Sequence, residues 1–584
     1  MQEPLATQPQ SNAGERASPA ALNANVSRLL TAMAARRGDA IAIAAPGVAR
    51  APYGSQVHGN VAYHTITFRA LDEDSSRLAA GLRSLGVERG TRLALLVRPG
   101  IEFISLVFAA FKAGAVAILI DPGMGRKNLI RCLSEAEPQG FIAIPLVHAV
   151  RRLFAGRFPR ARYNVTVGGR WFRGDVTLDE LRSRGAVAEF QPATAHADEP
   201  AAIIFTTGST GPPKGVLYGH GNFDHQVSEL GDFYGIRPGE VDLPGFPLFA
   251  LFNAALGVTT VIPDLDPRRP ARVDPRKIVQ AVNDWRVTQA FGSPAIWNRV
   301  GLHCQQERVS LPSLARVLSA GAPVPPHVLA RMKACIANDG QVHTPYGATE
   351  ALPVASIEAA EVLGETAQLS RDGAGVCVGR KFPTIEWRVV PIVDGPIADL
   401  AGAGALEPGE IGELVVSGPV VTRRYVTRRE WNALSKILGP GGSIWHRMGD
   451  AGYLDERGRF WFCGRVAHRV RTAAGTMYSV RCEAIFNNHP DVFRSALVGV
   501  GSPGRQRPVI IAEPHAGRMP RGRQARERLF AELRALALGN PLTGAIVDFL
   551  VHPSLPVDIR HNAKIFREKL AVWAATRLTA ARLG

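Results

Sequence analysis

Two short apolar runs, RLALLV at 92–97 and AVAILI at 115–120, constrain this chain more than any other feature. Neither alternates apolar with polar residues, so both read as strands buried on two faces, which belong to a parallel sheet covered by helices. Between them, 101–112 carries Ile104, Phe108 and Phe111 at helical spacing and completes a β–α–β unit. Lys112 and Gly114 interrupt the apolar stretch 106–120, which is too short for a spanning helix. Less clear buried strands are expected at 141–145, 288–292 and 316–319. From about Gly364 the texture changes to short β-type runs (385–390, 413–416, 460–462) punctuated by Gly and Pro. After Gly464 a further compact segment mixes strands at 495–500 and 509–512 with a helical stretch at 524–538. The expected class is multi-domain α/β, without internal repeats.

The 584 residues exceed one ordinary core, and 46% hydrophobic with 20% charged residues is a globular composition. Residues 1–22 read as a disordered tail, with no apolar core of signal-peptide length. A net charge of +17 admits nucleic acid, a membrane surface, anionic substrates or an acidic partner. The arginines are spread along the chain without any nucleic-acid module, so the expected reading is a solvated basic surface and no nucleic-acid partner. The six cysteines are too far apart for CxxC or zinc spacing and read as reduced, small apolar residues of a cytoplasmic protein.

Chemistry concentrates first in AAIIFTTGSTGPPKGVLYGH at 201–220. An apolar strand feeds a loop of small hydroxyl and glycine residues that ends on Lys214, and then a second β-type run begins at Gly215. Such a loop aims N–H and hydroxyl groups at one point while a cation closes over them, which suits a polyphosphate. It is not a Walker A loop, because Pro213 and Gly215 stand where that motif needs Gly and Ser or Thr. In TPYGATE (344–350), Tyr346 suits a flat base, Thr349 a phosphate and Glu350 a hard cation such as Mg²⁺. The small residues of SAGAP (319–323) permit close backbone approach to a planar ligand. Gly499 to Gly504 matches GxGxxG, yet another β-type run containing Pro508 follows it, so a tight hairpin is expected there instead of a dinucleotide site.

TTGSTGPPKG (206–215) closely resembles the phosphate loop of the acyl-adenylating superfamily, which includes acyl-CoA synthetases, luciferases and peptide-synthetase adenylation domains. SAGAP, TPYGATE, MGDAGYLDERGRFWFCGR (448–465) and DIRHNAK (558–564) resemble its other motifs, in order. The resemblance implies that ATP is held by Thr206, Thr207, Gly208, Ser209, Thr210, Gly211 and Lys214 at its phosphates. It implies an adenine-side loop of Ser319, Ala320, Gly321, Ala322 and Pro323, and contacts from Tyr346, Gly347, Ala348 and Thr349. Asp450 and Arg465 then meet the ribose, Glu350 holds Mg²⁺, and Lys564 reaches the forming acyl-phosphate bond. It also implies a large domain at 23–463 and a small mobile α+β domain at 464–584. Two departures are Ala563, where the family usually has Gly, and Ala467, where its hinge residue is usually charged.

Six further stretches (120–129, 246–257, 292–297, 319–326, 461–470 and 551–574) together resemble the β-lactone synthetases of bacterial long-chain olefin biosynthesis. That resemblance implies a long 2-alkyl-3-hydroxy acid as substrate, activated as acyl-AMP and then captured by its own hydroxyl. It suggests partners among the enzymes of a hydrocarbon-forming complex. Phe246, Phe249 and Phe252, three apart, read either as the lining of a long apolar pocket, with Gly292 nearby, or as a core helix face. His220 and His468 are the candidate bases for the hydroxyl. A conventional acyl-CoA ligase and a non-catalytic nucleotide-binding scaffold are the alternative readings.

Overall fold

The structure is a computed structural model that describes residues 23–47, 53–172, 175–185, 190–206, 211–266, 269–557 and 564–583. Its helices are layered with three larger sheets and two small ones. The β–α–β unit forms as expected, with strands Arg92–Leu96 and Val116–Leu119 parallel at register Arg92 to Val116, joined by helix Ile101–Ala113. Every residue of that helix except Glu102 is buried. Lys112 is buried with the rest because its ammonium has four oxygens around it. These are Asp72 Oδ1 at 2.6 Å, the Asp72 carbonyl at 2.7 Å, and the Ser75 and Ser76 hydroxyls at 2.8 Å. A buried charge survives only when paired and hydrogen-bonded in this way.

These strands belong to a seven-stranded sheet that also holds Gly140–Ala143, Tyr163–Thr166, Val176–Thr177 and Pro200–Phe205 in parallel. Gly215–Gly219 closes its edge antiparallel to Pro200–Phe205, so the loop ending on Lys214 is a strand–loop–strand. A ten-stranded sheet has a parallel centre, including Val241–Pro244, Gln289–Gly292, Arg316–Ser319 and Gln341–Ala348, flanked by antiparallel edges. The expected strands at 385–390, 413–416 and 460–462 appear as Glu386–Val390, Gly412–Ser417 and Phe460–Arg465 of a six-stranded sheet, antiparallel throughout.

Beyond Val470 lies a three-stranded sheet, Val492–Val500, Arg507–Pro514 and Asp548–Val551, with helices Ser479–Phe486, Gly522–Leu538 and Arg567–Leu583. Two of the apolar clusters draw only on residues from Val470 onward. The expected hairpin at 499–504 is there, with Val500 opposite Arg507. All six cysteines are buried and free. Among the described residues no helix is long and apolar enough to cross a membrane.

Candidate active site

Carboxyl ends of strands from the seven- and ten-stranded sheets converge on one cavity of about 1630 Å³. Crevices at the carboxyl ends of parallel strands are the general place for ligands in α/β folds. Ordinary small-molecule pockets span ~300–1,000 Å³, so this one has room for a nucleotide and a second long molecule.

Thr206, Gly211 and Lys214 stand in its wall, while Thr207, Gly208, Ser209 and Thr210 lie outside the described residues. The loop is closed by two bonds, Thr206 N–H to the Lys214 carbonyl and Lys214 N–H to the Thr206 hydroxyl, each 3.0 Å. The Lys214 ammonium stands 4.4 Å from the Trp431 ring centre and 4.8 Å from that of Tyr425. Burial holds its pKa below the usual lysine range, with Glu350 opposing the fall and Arg465 adding to it. A cation backed by two rings and facing an open cavity is ready for an anionic ligand.

The motif at 344–350 forms the inner end of a hairpin between Gln341–Ala348 and Ala351–Glu358, and all seven residues line the cavity. A Cβ on Gly347 would lie 2.7 Å from the Ala351 carbonyl oxygen, so only glycine fits there. Glu350 is 8% exposed, and its Oε1 accepts a 2.5 Å bond from the Tyr425 hydroxyl. Its carbonyl accepts from Thr422 N–H and Oγ1 at 2.9 and 3.0 Å, which fixes the backbone behind the carboxylate. Among the described residues no group of three or more His, Cys, Asp or Glu gathers as a metal cage. One carboxylate in the cavity wall with an oxygen to spare fits Mg²⁺, which keeps water and substrate phosphates as its other ligands.

Asp450 and Arg465 pair across adjacent strands, Ile444–Leu454 and Phe460–Arg465. Arg465 Nη1 donates to Asp450 Oδ1 at 2.7 Å, and the Tyr346 hydroxyl donates to Oδ2 at 2.5 Å. Burial and the Asp450 charge push the Tyr346 hydroxyl well above its ordinary pKa, so it stays a donor. A carboxylate has about four acceptor positions, so two remain toward the cavity for a vicinal diol. Ser319 to Pro323 line the same wall. Gly321 has φ +94°, and the Ser319 hydroxyl is buried without a partner among the described residues, an unsatisfied group of the kind a polar ligand completes.

Lys564 and His468 reach this cavity from the far side of the chain. His468 Nε2 lies 3.4 Å from Glu568 Oε1, and its Nδ1 is buried without a partner among the described residues. Burial lowers the imidazole pKa to about 4, with Arg567 and Arg465 adding to the fall and Glu568 opposing it. The ring is therefore neutral at ordinary pH. Because a carboxylate accepts only, Nε2 carries the proton and Nδ1 the lone pair. His220 is different: it is 2% exposed, its Nδ1 accepts Val26 N–H at 3.3 Å, and it is not in the cavity wall. The expectation of a base at His220 is corrected, since its lone pair is already used to hold Val26.

Phe246, Phe249 and Phe252 are half-buried and line the cavity, with successive ring centres 6.0 and 5.8 Å apart. Phe249 also stacks on Phe291 at 3.9 Å. All three rings thus stand at the cavity wall, and Phe252 also packs against an apolar core cluster. Gly292 is a correction: its neighbours Phe291 and Ser293 line the cavity, but Gly292 lies under Trp297, whose indole a Cβ would meet at 2.8 Å.

Tyr425, Trp431 and Lys436 were not legible in the sequence. The Lys436 ammonium donates to the Thr422 carbonyl at 2.5 Å, and burial lowers its pKa to about 7, opposed by Glu350 and aided by Lys214. These three follow Glu350 by 75 to 86 positions and no spacing ties them to it.

Residues 30–426 match the model of the AMP-binding enzyme family. An olefin beta-lactone synthetase from Xanthomonas campestris is 47% identical over 94% of this chain and 97% of its own length. One from Stenotrophomonas maltophilia is 46% identical over 95% and 98%. The solved O-succinylbenzoate coenzyme A synthetase from Bacillus subtilis, in complex with ATP and magnesium, has the same fold. It covers 93% of this chain and 98% of its own, at 20% identity and TM-score 0.69. With a family model spanning more than half of its residues and near full-length relatives at this identity, the chain belongs to the AMP-binding enzyme family.

Proposed function

We propose that this protein activates a long-chain 2-alkyl-3-hydroxy acid with ATP and closes it to a β-lactone. The carboxylate oxygen bonds to the α-phosphorus as pyrophosphate leaves. The 3-hydroxyl then loses its proton, its oxygen bonds to the activated carbonyl carbon, and AMP departs. The observation that carries the reading is a single cavity joining Lys214, Glu350, Asp450 and Lys564 to the Phe246, Phe249, Phe252 and Phe291 rings. Near full-length likeness to proteins named olefin beta-lactone synthetase supports the second half of the reaction.

In this reading Asp450 and Arg465 hold the ribose, Lys214 the phosphates, and Lys564 steadies negative charge as pyrophosphate leaves. Glu350 would hold Mg²⁺, which neutralises phosphate charge when bound. The segment after Gly464 is the part expected to move, carrying Lys564 and His468 together. Apolar side chains enter the cavity from both large sheets, with Leu96, Ile120 and Met124 on one side and the Phe246 group on the other. This suits an acid with an alkyl branch beside its main chain. Held there, a neighbouring hydroxyl gains an effective molarity on the order of 10⁵ M or more, so no external thiol is needed.

The test is product analysis with ATP, Mg²⁺ and a 2-alkyl-3-hydroxy acid in the absence of coenzyme A. Lactone, AMP and pyrophosphate are expected together. Turnover only on addition of coenzyme A, with a thioester as product, would replace this reading by that of an acyl-CoA ligase.

We assign His468 as the base, because the residue lines the cavity and its Nδ1 has no partner among the described residues. His468→Ala is expected to lower lactone formation by about 10²–10⁴-fold while acyl-AMP still forms, as loss of a positioned base does. With the wild-type ring at about 4, the lactone step should fall away only as pH drops through about 4. An acid limb near pH 6.5 would mean that burial does not hold the ring neutral, and unchanged lactone formation in His468→Ala would rule the assignment out.

A further inference from the structure

The mouth of the cavity carries a surface that the reaction above does not use. Helix Pro145–Leu153 follows strand Gly140–Ala143, and its Leu146 and Val147 stand in the cavity wall. Leu146 is also 59% exposed, so the cavity reaches the surface there. Val150 is 41%, Leu153 79% and Phe154 39% exposed. Positions 146, 150 and 153 recur at spacings of four and three, which puts them on one helical face, and Phe154 follows as the C-cap residue. Trp171 is 62% exposed, on the segment that packs along this helix: Gly168 approaches Pro145 at the helix start, and the Arg152 guanidinium near its end stacks 4.3 Å from the Phe172 ring centre.

The charge around this stripe is one-sided. Between Glu137 and Asp175 the chain has seven arginines and no acidic residue. Arg151 and Arg152 share the buried Asp175, Arg160 pairs with Glu137 and Arg170 with Glu180. Arg157 and Arg162 are exposed and make no ion pair among the described residues. An amphipathic helix with Leu and Val on its open face, a neighbouring exposed Trp and flanking arginines matches what lies in the interface of an anionic bilayer. Phosphate-backbone contacts alone would leave the apolar stripe without a role.

We propose that this face docks on an anionic lipid surface, so that the cavity mouth at Leu146 opens onto the membrane. The stripe enters the headgroup boundary and the arginines meet lipid phosphates. The idea rests on the proposed function only in its benefit, because a long-chain acid partitions into bilayers and is taken up from there. Docking itself needs no substrate.

The experiment is flotation of the full-length protein with vesicles of phosphatidylcholine alone, or of phosphatidylcholine mixed with phosphatidylglycerol. Wild type is expected to float with the mixed vesicles only, and less as salt is raised. Arg157→Glu and Arg162→Glu should each lower the bound fraction about fivefold, the equivalent of one surface arginine. Leu153→Glu should lower it at least as much. All three side chains lie outside the cavity wall. Each variant should therefore keep wild-type pyrophosphate release with detergent-dispersed acid, which shows that it is folded. Absence of flotation with mixed vesicles overturns the proposal, as does binding that the three substitutions leave unchanged. If the substitutions instead abolish self-association in sedimentation velocity while vesicle binding persists, the face is a protein interface and the proposal fails.

Discussion

Lys564→Ala is expected to slow ATP-dependent pyrophosphate release by about 10²–10³-fold, the usual loss when one pre-aimed charge is removed from a developing anion. The substitution lies in the wall of the shared cavity and in no buried cluster, so the fold should survive it. Circular dichroism and the melting temperature should match wild type. ATP affinity should change little, because Lys214 and Asp450 remain in place. The informative comparison is with His468→Ala, which should stop the reaction after acyl-AMP, whereas Lys564→Ala stops it before. Pyrophosphate release and lactone yield, measured on both variants, separate the two. If Lys564→Ala left pyrophosphate release unchanged, the adenylation step would not depend on this ammonium.

The second large effect is expected at Asp450, where stability and ligand binding are coupled. Asp450→Ala removes the acceptor for Arg465 Nη1 and for the Tyr346 hydroxyl together. Breaking a buried ion pair costs about 3–5 kcal/mol. The low end applies, since the Arg465 side chain keeps 35% of its surface in water. Loss of two hydrogen bonds from a ribose to a charged acceptor, each worth about 1.5–3 kcal/mol, should raise the KM for ATP by about 10²-fold or more. Asp450→Asn keeps an acceptor for Tyr346 but not the charge. It should recover part of the stability and little of the ATP affinity. A KM for ATP equal to that of wild type in both variants would remove Asp450 from the nucleotide site.

Much of the architecture could be read from local pattern. The runs at 92–97 and 115–120 became parallel neighbours because uninterrupted apolar strands have no other stable home. Strand ends moved by one to three residues where the ladder, and not composition, sets the boundary, as at Val492–Val500 for the expected 495–500. Lys112 looked like a break in an apolar helix, and the sequence had no means of announcing the Asp72, Ser75 and Ser76 oxygens that let it stay buried.

For the site, residue type and motif order pointed to Lys214, Glu350, Asp450, Arg465 and Lys564, all of which line one cavity. His220 and His468 were indistinguishable as letters. What separates them is which Nδ1 finds a donor: Val26 N–H occupies that of His220, and that of His468 has no partner among the described residues. The three phenylalanines at 246, 249 and 252 had the spacing of a core face, and only the position of their segment at the cavity edge made them a lining.

The linear sequence thus determined the kind of sheet, the loop chemistry and the order of the motifs, because these depend on neighbours within a few positions. Tertiary structure alone decided that Tyr425, Trp431 and Lys436 back Lys214 and Glu350, that one of two histidines keeps a free lone pair, and that an apolar stripe remains open at the cavity mouth. Burial, pairing and exposure depend on contacts made across the whole chain, and no local pattern encodes them.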